Sequence, residues 1–588
     1  MSKRFILLLL LLIAATACTA NGSKGVTPAS TTVGPLSVAP VATSTHVPVL
    51  ATPTLQPSAT PLPTATATAP AATETPQTET AGDLSLTSEQ VYVHPLSPLY
   101  AGDSVTFQVF PYVPDVVALS DVVVRVEVEG GPSWQGGVGY NLVGRPMGLF
   151  EWVWDTGYEA GDYRVSVTLD PDNLLVVGDE NPDNNQVVQT VSVLPAHLRP
   201  RREANAVWIE DEIGCCVLHV VSETAAYRDL PQLKTAVAAA MAQAVEKIGE
   251  QPEEKIHIYL IDRVLGQGGY AGSSMVVSYL DRNYAGGGLH EVLVHEIVHL
   301  LDQEFAPNRV PFLGEGLAVW ATGGHYKQED LDQRVRALHQ IGKYVPLAEL
   351  IDDFYLHQHE IGYLEAGGFI SYLVRTYGWE QVRTFYGDVD AESADSQAQA
   401  VERSLQTHFG KSLAQVETEW KADLDALSPD EMAVTDLLAT IRFYDIVRAY
   451  QLQYDPTAHF QQAWLPSGRE LVERQLTADV TRHPDDEVNV TLEVMLEAVD
   501  NALLAGDHNR VNVILDSVER ALDNGGLFLD PLGANYHHIV RKLMSLGYKV
   551  HRVDLEGDRA IVLITEGRRV ITRPVNLVLR NQAWVLLN

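Results

Sequence analysis

His295-Glu296-Ile297-Val298-His299 is the stretch from which the rest of the chain is read. On an α-helix, residues four apart differ by about 40° of rotation and one turn of rise. His295 and His299 therefore project side by side and can both reach one metal ion. Zinc accepts neutral imidazole nitrogens, and a hydrolytic zinc site needs three protein ligands plus an open position. Glu296 lies roughly 100° round the helix from His295, beside the metal rather than on it. There it can take a proton from a water that attacks a carbonyl. Gly286-Gly287-Gly288 breaks the chain before the motif, and Leu293, Val294, Ile297, Val298, Leu300 and Leu301 are the apolar residues of a buried helix. Two histidines and a glutamate are costly to bury among such residues without a partner, which argues against a plain core helix.

A third ligand has to come from elsewhere. A metzincin would place Gly and a third His where this chain has Asp302 and Phe305. Downstream, Phe312-Leu313-Gly314-Glu315-Gly316-Leu317-Ala318 offers a carboxylate on a second helix, with Asp302, Glu304 and His325 as its rivals. The two segments together resemble the gluzincin metallopeptidases, in particular the bacterial peptidase MA-like members whose second motif reads Glu-Gly-x-Ala. The resemblance implies an α+β domain of mixed sheet and active-site helices, zinc as cofactor, and Glu315 as the third ligand. Tyr363-Leu364-Glu365-Ala366-Gly367-Gly368-Phe369 is similar to the tyrosine-bearing helix start of the aminopeptidase N-like gluzincins. There the tyrosine hydroxyl stabilises the oxyanion, and the resemblance gives that role to Tyr363. It also implies that the strand 275–280 forms the cleft edge and pairs with an extended substrate. The similarity covers roughly residues 205–428. The aminopeptidase signature Gly-x-Met-Glu-Asn is absent, which favours an endopeptidase. His357 and His359 read as solvated loop residues.

The remainder of the chain frames this domain. A length of 588 residues with 46% apolar content exceeds a single core. A formal net charge of −35 excludes nucleic acid and an anionic membrane surface as direct partners, since both need basic patches. Lys3 and Arg4, the apolar run 5–14 and Ala15-Thr16-Ala17 make residues 1–17 a signal peptide. The small residues followed by Cys18 resemble the bacterial lipobox. That implies lipid attachment at Cys18 and an exported, membrane-anchored protein. Residues 18–82, rich in Thr, Pro and Ala, cannot bury a core and read as a stalk.

Residues 83–197 alternate as strands do: Val105, Phe107 and Val109; Val124, Val126 and Val128; Phe150, Trp152 and Trp154. This predicts an antiparallel β-sandwich. Its acidic ending, from Asp170 through Asn185, resembles CARDB-type immunoglobulin-like modules. Its Asp and Asn side chains serve turns in preference to calcium. Cys215 and Cys216 read as two thiols in a strand, facing opposite ways. After the domain at 203–428, residues 434–588 predict helices at 437–454, 492–504 and 511–522. Strands follow at 550–555, 560–565, 569–572 and 575–579, giving a second α+β domain. The expected whole is a membrane-anchored zinc peptidase acting on peptide or protein substrates. The alternative is an inactive adhesion or scaffold lipoprotein that keeps a peptidase-like domain.

Overall fold

The computed structural model describes residues 82–588, apart from 142, 154–159, 267, 567–569 and 588 and the side chains of 151–153. The expected signal peptide, Cys18, the stalk up to residue 81, Trp154 and the side chain of Trp152 lie outside these residues. Among the described residues there are sixteen α-helices and eighteen strands, arranged as a sheet-rich N-terminal part, a helical middle and a closing sheet. This is a multidomain α+β protein.

The N-terminal strands form two sheets around one core. One runs Val91–His94, Ser104–Val109, Pro146–Val153, Gly139–Tyr140; the other runs Leu99–Tyr100, Gln186–Leu194, Gly161–Leu169, Val123–Val128, Ser133–Gly137. Alternation decides which face is buried: Val124, Val126 and Val128 are inside while Glu127 is in solvent. One pairing departs from a purely antiparallel sandwich. After Val91–His94 the chain crosses to the other sheet, so Leu99–Tyr100 pairs parallel with Gln186–Leu194. The acidic ending works as turn chemistry. Asp83 accepts from the Glu180 and Asn181 amides at 2.8 and 3.1 Å, and Asp170 from those of Leu174 and Leu175 at 3.0 and 2.8 Å.

The middle part is built on a five-stranded sheet in the order Trp208–Ile213, Cys216–Val221, Ile256–Ile261, Met275–Ser278, Gly269–Ala271. The two inner pairings are parallel and the two outer ones antiparallel. The Leu230–Ile248 helix lays its stripe of Leu233, Val237, Met241, Ala244 and Ile248 into this core. Each of the larger side chains gains roughly 1.5–3 kcal/mol by that burial. Two sequence expectations are corrected here. Cys215 lies in the tight turn between the first two strands, so only the fully buried Cys216 is in a strand, and both thiols are free. Met275–Ser278 is an inner strand; the edge on this side is the short, half-buried Gly269–Ala271, whose glycine-rich sequence does not read as a strand.

At the C-terminal end, the Glu431–Tyr454, Glu487–Leu504, His508–Asp523 and Pro531–Met544 helices pack on a four-stranded antiparallel sheet. The last of these helices was not foreseen. Of the expected strand 569–572 only Thr572 is in a strand, the same Thr572–Arg580 that holds 575–579. Residues 570 and 571 lie outside it, 569 is not among the described residues, and the strand turns at Asn581-Gln582 with φ of 49° and 64°. The Glu431–Tyr454 helix belongs to two cores at once. Leu437 and Ile441 enter the core of the middle part, and Phe443, Tyr444, Ile446, Val447 and Tyr450 enter the C-terminal one. Buried ion pairs add register: Arg263 with Asp455 at 3.0 Å, Arg282 with Glu493, and Arg482 with Asp103 at 2.8 Å, the last tying the sandwich to the C-terminal part.

Glu497, on the Glu487–Leu504 helix, carries a testable consequence of such burial. Desolvation pushes its carboxyl up to about 8, against the pull of Arg552 and Arg282. In the unfolded chain the same proton is bound only below the ordinary value of 4.5. Between these limits the folded state holds more protons, so stability falls as pH rises and is recovered below the window. Glu497→Gln fixes the neutral form, so its melting temperature should exceed the parent's at about pH 9 and match it at about pH 4. An equal shift at both values in thermal melts would remove Glu497 as the source.

Candidate metal centre

The site is made by two helices that meet closely. Leu289–Leu301 buries Leu293, Val294, Ile297, Val298 and Leu301, which turns His295 and His299 toward its partner. The partner, Pro311–Thr322, opens on a proline suited to a first helical turn and sets Glu315 one turn in. His295 Nε2 lies 3.0 Å and His299 Nε2 3.2 Å from Glu315 Oε2. The ligand atoms of these three residues all fall within 4.8 Å of one another. The glycine of the Glu-Gly-x-Ala segment has a packing reason. A Cβ on Gly316 would sit 2.6 Å from the Ala366 carbonyl oxygen, and one on Gly367 would sit 2.4 Å from Val319. Only glycines let the Pro311–Thr322 and His359–Tyr377 helices cross so tightly, and the same crossing delivers Tyr363 to the site.

The rival ligands fall outside the group formed by His295, His299 and Glu315. Asp302 is fully buried, accepts from Tyr386 at 2.5 Å and pairs with Arg309 at 3.0 Å. Glu304 is exposed. His325 stacks on Tyr363, ring centroids 4.5 Å apart. A residue that the sequence did not reveal completes the ligand set's surroundings. Tyr355 donates its hydroxyl to Glu315 Oε1 at 2.9 Å, leaving Oε2 to face the imidazoles. No motif spacing marks Tyr355, since its partner is forty residues back.

Charge in the cluster follows from burial and proximity. Burial alone would raise the Glu315 carboxyl, but His299 and hydrogen bonds from both imidazoles hold it well below the carboxylate range. Burial opposes charge on His299, and the Glu315 carboxylate overrides it, lifting that imidazole to about 9. A buried carboxylate flanked by two imidazole nitrogens is a donor set that suits a divalent cation such as zinc. Burial pushes Glu296 up, partly offset by His295 and His299.

These groups line a cavity of about 310 Å³. The edge strand Gly269–Ala271 forms one wall, so close to Glu296 that a Cβ on Gly269 would lie 3.1 Å from its Oε1. Tyr363 stands opposite, stacked between His295 and His325. Burial first, then Glu315, Tyr355 and Glu296, push its hydroxyl well above the ordinary range, so it remains a proton-bearing donor. His359 is not a solvated loop residue. It opens the His359–Tyr377 helix, is buried against the cavity, and is held neutral by burial and Arg448, with a pKa of about 3. Arg309 and Phe460, both unforeseen, also line the cavity.

No family model matches the chain, and no curated protein does. Solved structures similar to it include a CARDB domain from Pyrococcus furiosus in complex with di-metal ions, at 20% identity. That match covers 19% of this chain and 88% of that one, with a TM-score of 0.15. An aminopeptidase N family protein from Idiomarina loihiensis is 9% identical over 59% of this chain and 77% of that one, with a TM-score of 0.25. At such TM-scores neither likeness bears on function.

Because Tyr355 orients Glu315, its hydroxyl should matter to metal binding. Tyr355→Phe is expected to weaken zinc affinity roughly 10–100-fold, and His299→Ala and Glu315→Ala to abolish stoichiometric binding, in competition titrations with a chromophoric chelator. Unchanged affinity in Tyr355→Phe would remove Tyr355 from this role.

Proposed function

We propose that the chain is a zinc-dependent metallopeptidase of the gluzincin type that hydrolyses internal peptide bonds. The observation that carries this reading is the convergence of His295, His299 and Glu315 in a cavity that also holds Glu296 and Tyr363. His295, His299 and Glu315 would hold zinc, which would supply Lewis-acid polarisation of a scissile carbonyl. Glu296, buried beside the ligands, accepts the proton of the attacking water at its carboxylate and passes it to the leaving amine. Its raised pKa suits this traffic, because a base is most effective when poised toward the working pH. Tyr363 keeps its proton and donates a hydrogen bond to the oxygen on which negative charge develops. Tyr355 fixes the Glu315 carboxylate, and the free edge of Gly269–Ala271 offers backbone groups to an extended peptide.

An endopeptidase is favoured over an aminopeptidase on charge grounds. Among the described residues lining the cavity, Glu296 and Glu315 are the only acids, and both are committed. No carboxylate remains there to hold a free α-ammonium group. The N-terminal signal and lipobox-like sequence support an exported protein tethered to a membrane through Cys18, with peptides or proteins as substrates and no nucleic-acid partner. Among the described residues no helix is long and apolar enough to cross a membrane.

Glu296→Gln should retain about one zinc per chain and lose activity on a peptide library by roughly 10²–10⁴-fold. Tyr363→Phe should lower kcat by roughly 10²–10³-fold with KM little changed. A parent that binds no zinc after reloading, or a Glu296→Gln variant that cleaves like the parent, would overturn the peptidase reading.

A further inference from the structure

Beside the metal cavity lies a second one of about 290 Å³, and three residues line both: Tyr355, His359 and Phe460. Phe460 does not come from the middle part. It sits in the segment that follows the Glu431–Tyr454 helix. Its ring meets His359 edge to face at 4.8 Å and Tyr355 at 5.9 Å, and on the other side it reaches Gly266, where a Cβ would lie 3.6 Å away. The ring thus bridges the loop before the edge strand and the side of the cleft formed by Tyr355 and the start of the His359–Tyr377 helix.

The segment carrying it is pinned on several sides. The Gly266 amide donates to the Ala458 carbonyl at 2.8 Å, Tyr270 Oη to the Pro466 carbonyl at 2.8 Å, and Asn141 Nδ2 to the Gln461 carbonyl at 3.1 Å. Beyond the ring, the second cavity changes character. Arg448, His459, Gln358 and Gln461 make it polar, with Arg448 anchored on the buried Glu360 at 2.6 Å. A metal cavity of about 310 Å³ stands at the small end of ligand sites, so a fixed ring at its boundary decides how far a bound peptide can run.

We propose that Phe460 is a specificity-determining residue: it closes one end of the metal cavity and separates it from a polar outer subsite, limiting the substrate to a short peptide stretch on that side of the scissile bond. The C-terminal part is thereby a wall of the active-site cleft. This rests on the peptidase reading above. An apolar or aromatic substrate side chain meets the rings of Phe460 and Tyr355, while the outer subsite takes main-chain amides only when the ring is gone.

The test uses the full zinc-loaded chain and peptidyl hydroxamates of increasing length, extended from either end, with affinity measured by calorimetry. For the parent, affinity should stop rising in one direction once the peptide reaches the ring. For Phe460→Ala it should keep rising there, by about tenfold or more for the longest ligands, and Phe460→Leu, which keeps an apolar plug and guards against loss of folding, should fall between. The shortest hydroxamate should bind parent and variants alike, since it reports the metal centre alone. Binding of that short ligand together with identical length profiles in parent and Phe460→Ala would overturn the role of Phe460 and leave the peptidase reading standing. Failure of the parent to bind any hydroxamate would overturn both.

Discussion

The buried carboxylate of Glu315 is the constraint from which the middle of the molecule takes its form. An ionised carboxylate removed from water costs several kcal/mol unless charge and hydrogen bonds replace the lost solvation. Here His295, His299 and the Tyr355 hydroxyl do so, each from a different direction or helix turn. Holding four polar groups at one point requires the Leu289–Leu301 and Pro311–Thr322 helices to stay in fixed rotation. The apolar residues behind them, Leu293, Ile297, Leu313 and Leu317 among them, supply that fixity. The site is thus a polar exception purchased by a large apolar surround.

The helix crossing behind Glu315 passes the constraint on. With Gly316 against the Ala366 carbonyl and Gly367 against Val319, the His359–Tyr377 helix is brought up at backbone contact distance. Its first turns then carry His359 and Tyr363 into the cavity as neutral, proton-bearing rings. A larger residue at either glycine would separate the helices and move Tyr363 from Glu315 and His295 together. The small residues of this region therefore help to set the positions of Glu315 and Tyr363 without contributing a polar side chain to the cavity.

The helical pattern of His295-Glu296-Ile297-Val298-His299 was legible because periodicity, a glycine break and the chemistry of two imidazoles all point one way. The sandwich strands were legible for a similar reason, since Val124, Val126 and Val128 alternate with charged residues. What sequence could not carry are contacts made across long separations. Tyr355 and Phe460 reach the site through packing, and no local spacing announces them. The resemblance puts the cleft edge at the strand 275–280, and the composition of Gly269–Ala271 announces no strand outside it, yet order in a sheet is set by pairing partners. His359 reads as a loop histidine because nothing in the sequence marks a helix starting there, although the helix it opens turns it inward.

The boundary near residue 434 is a change of composition rather than a break in the packing. One helix, Glu431–Tyr454, feeds Leu437 and Ile441 to one core and Phe443 and Tyr450 to the next. Val264, Tyr284 and Ala285, which belong by sequence to the middle part, lie in the C-terminal core in return. Arg263–Asp455 and Arg282–Glu493 cross the same junction with almost no exposure, and unpairing them would strand charges in an apolar setting. Cutting the chain at the composition change would therefore open two cores and leave buried charges without partners. A wall of the cleft made from such a junction is held as rigidly as the ligand helices themselves, which a wall on a loosely tethered domain could not be.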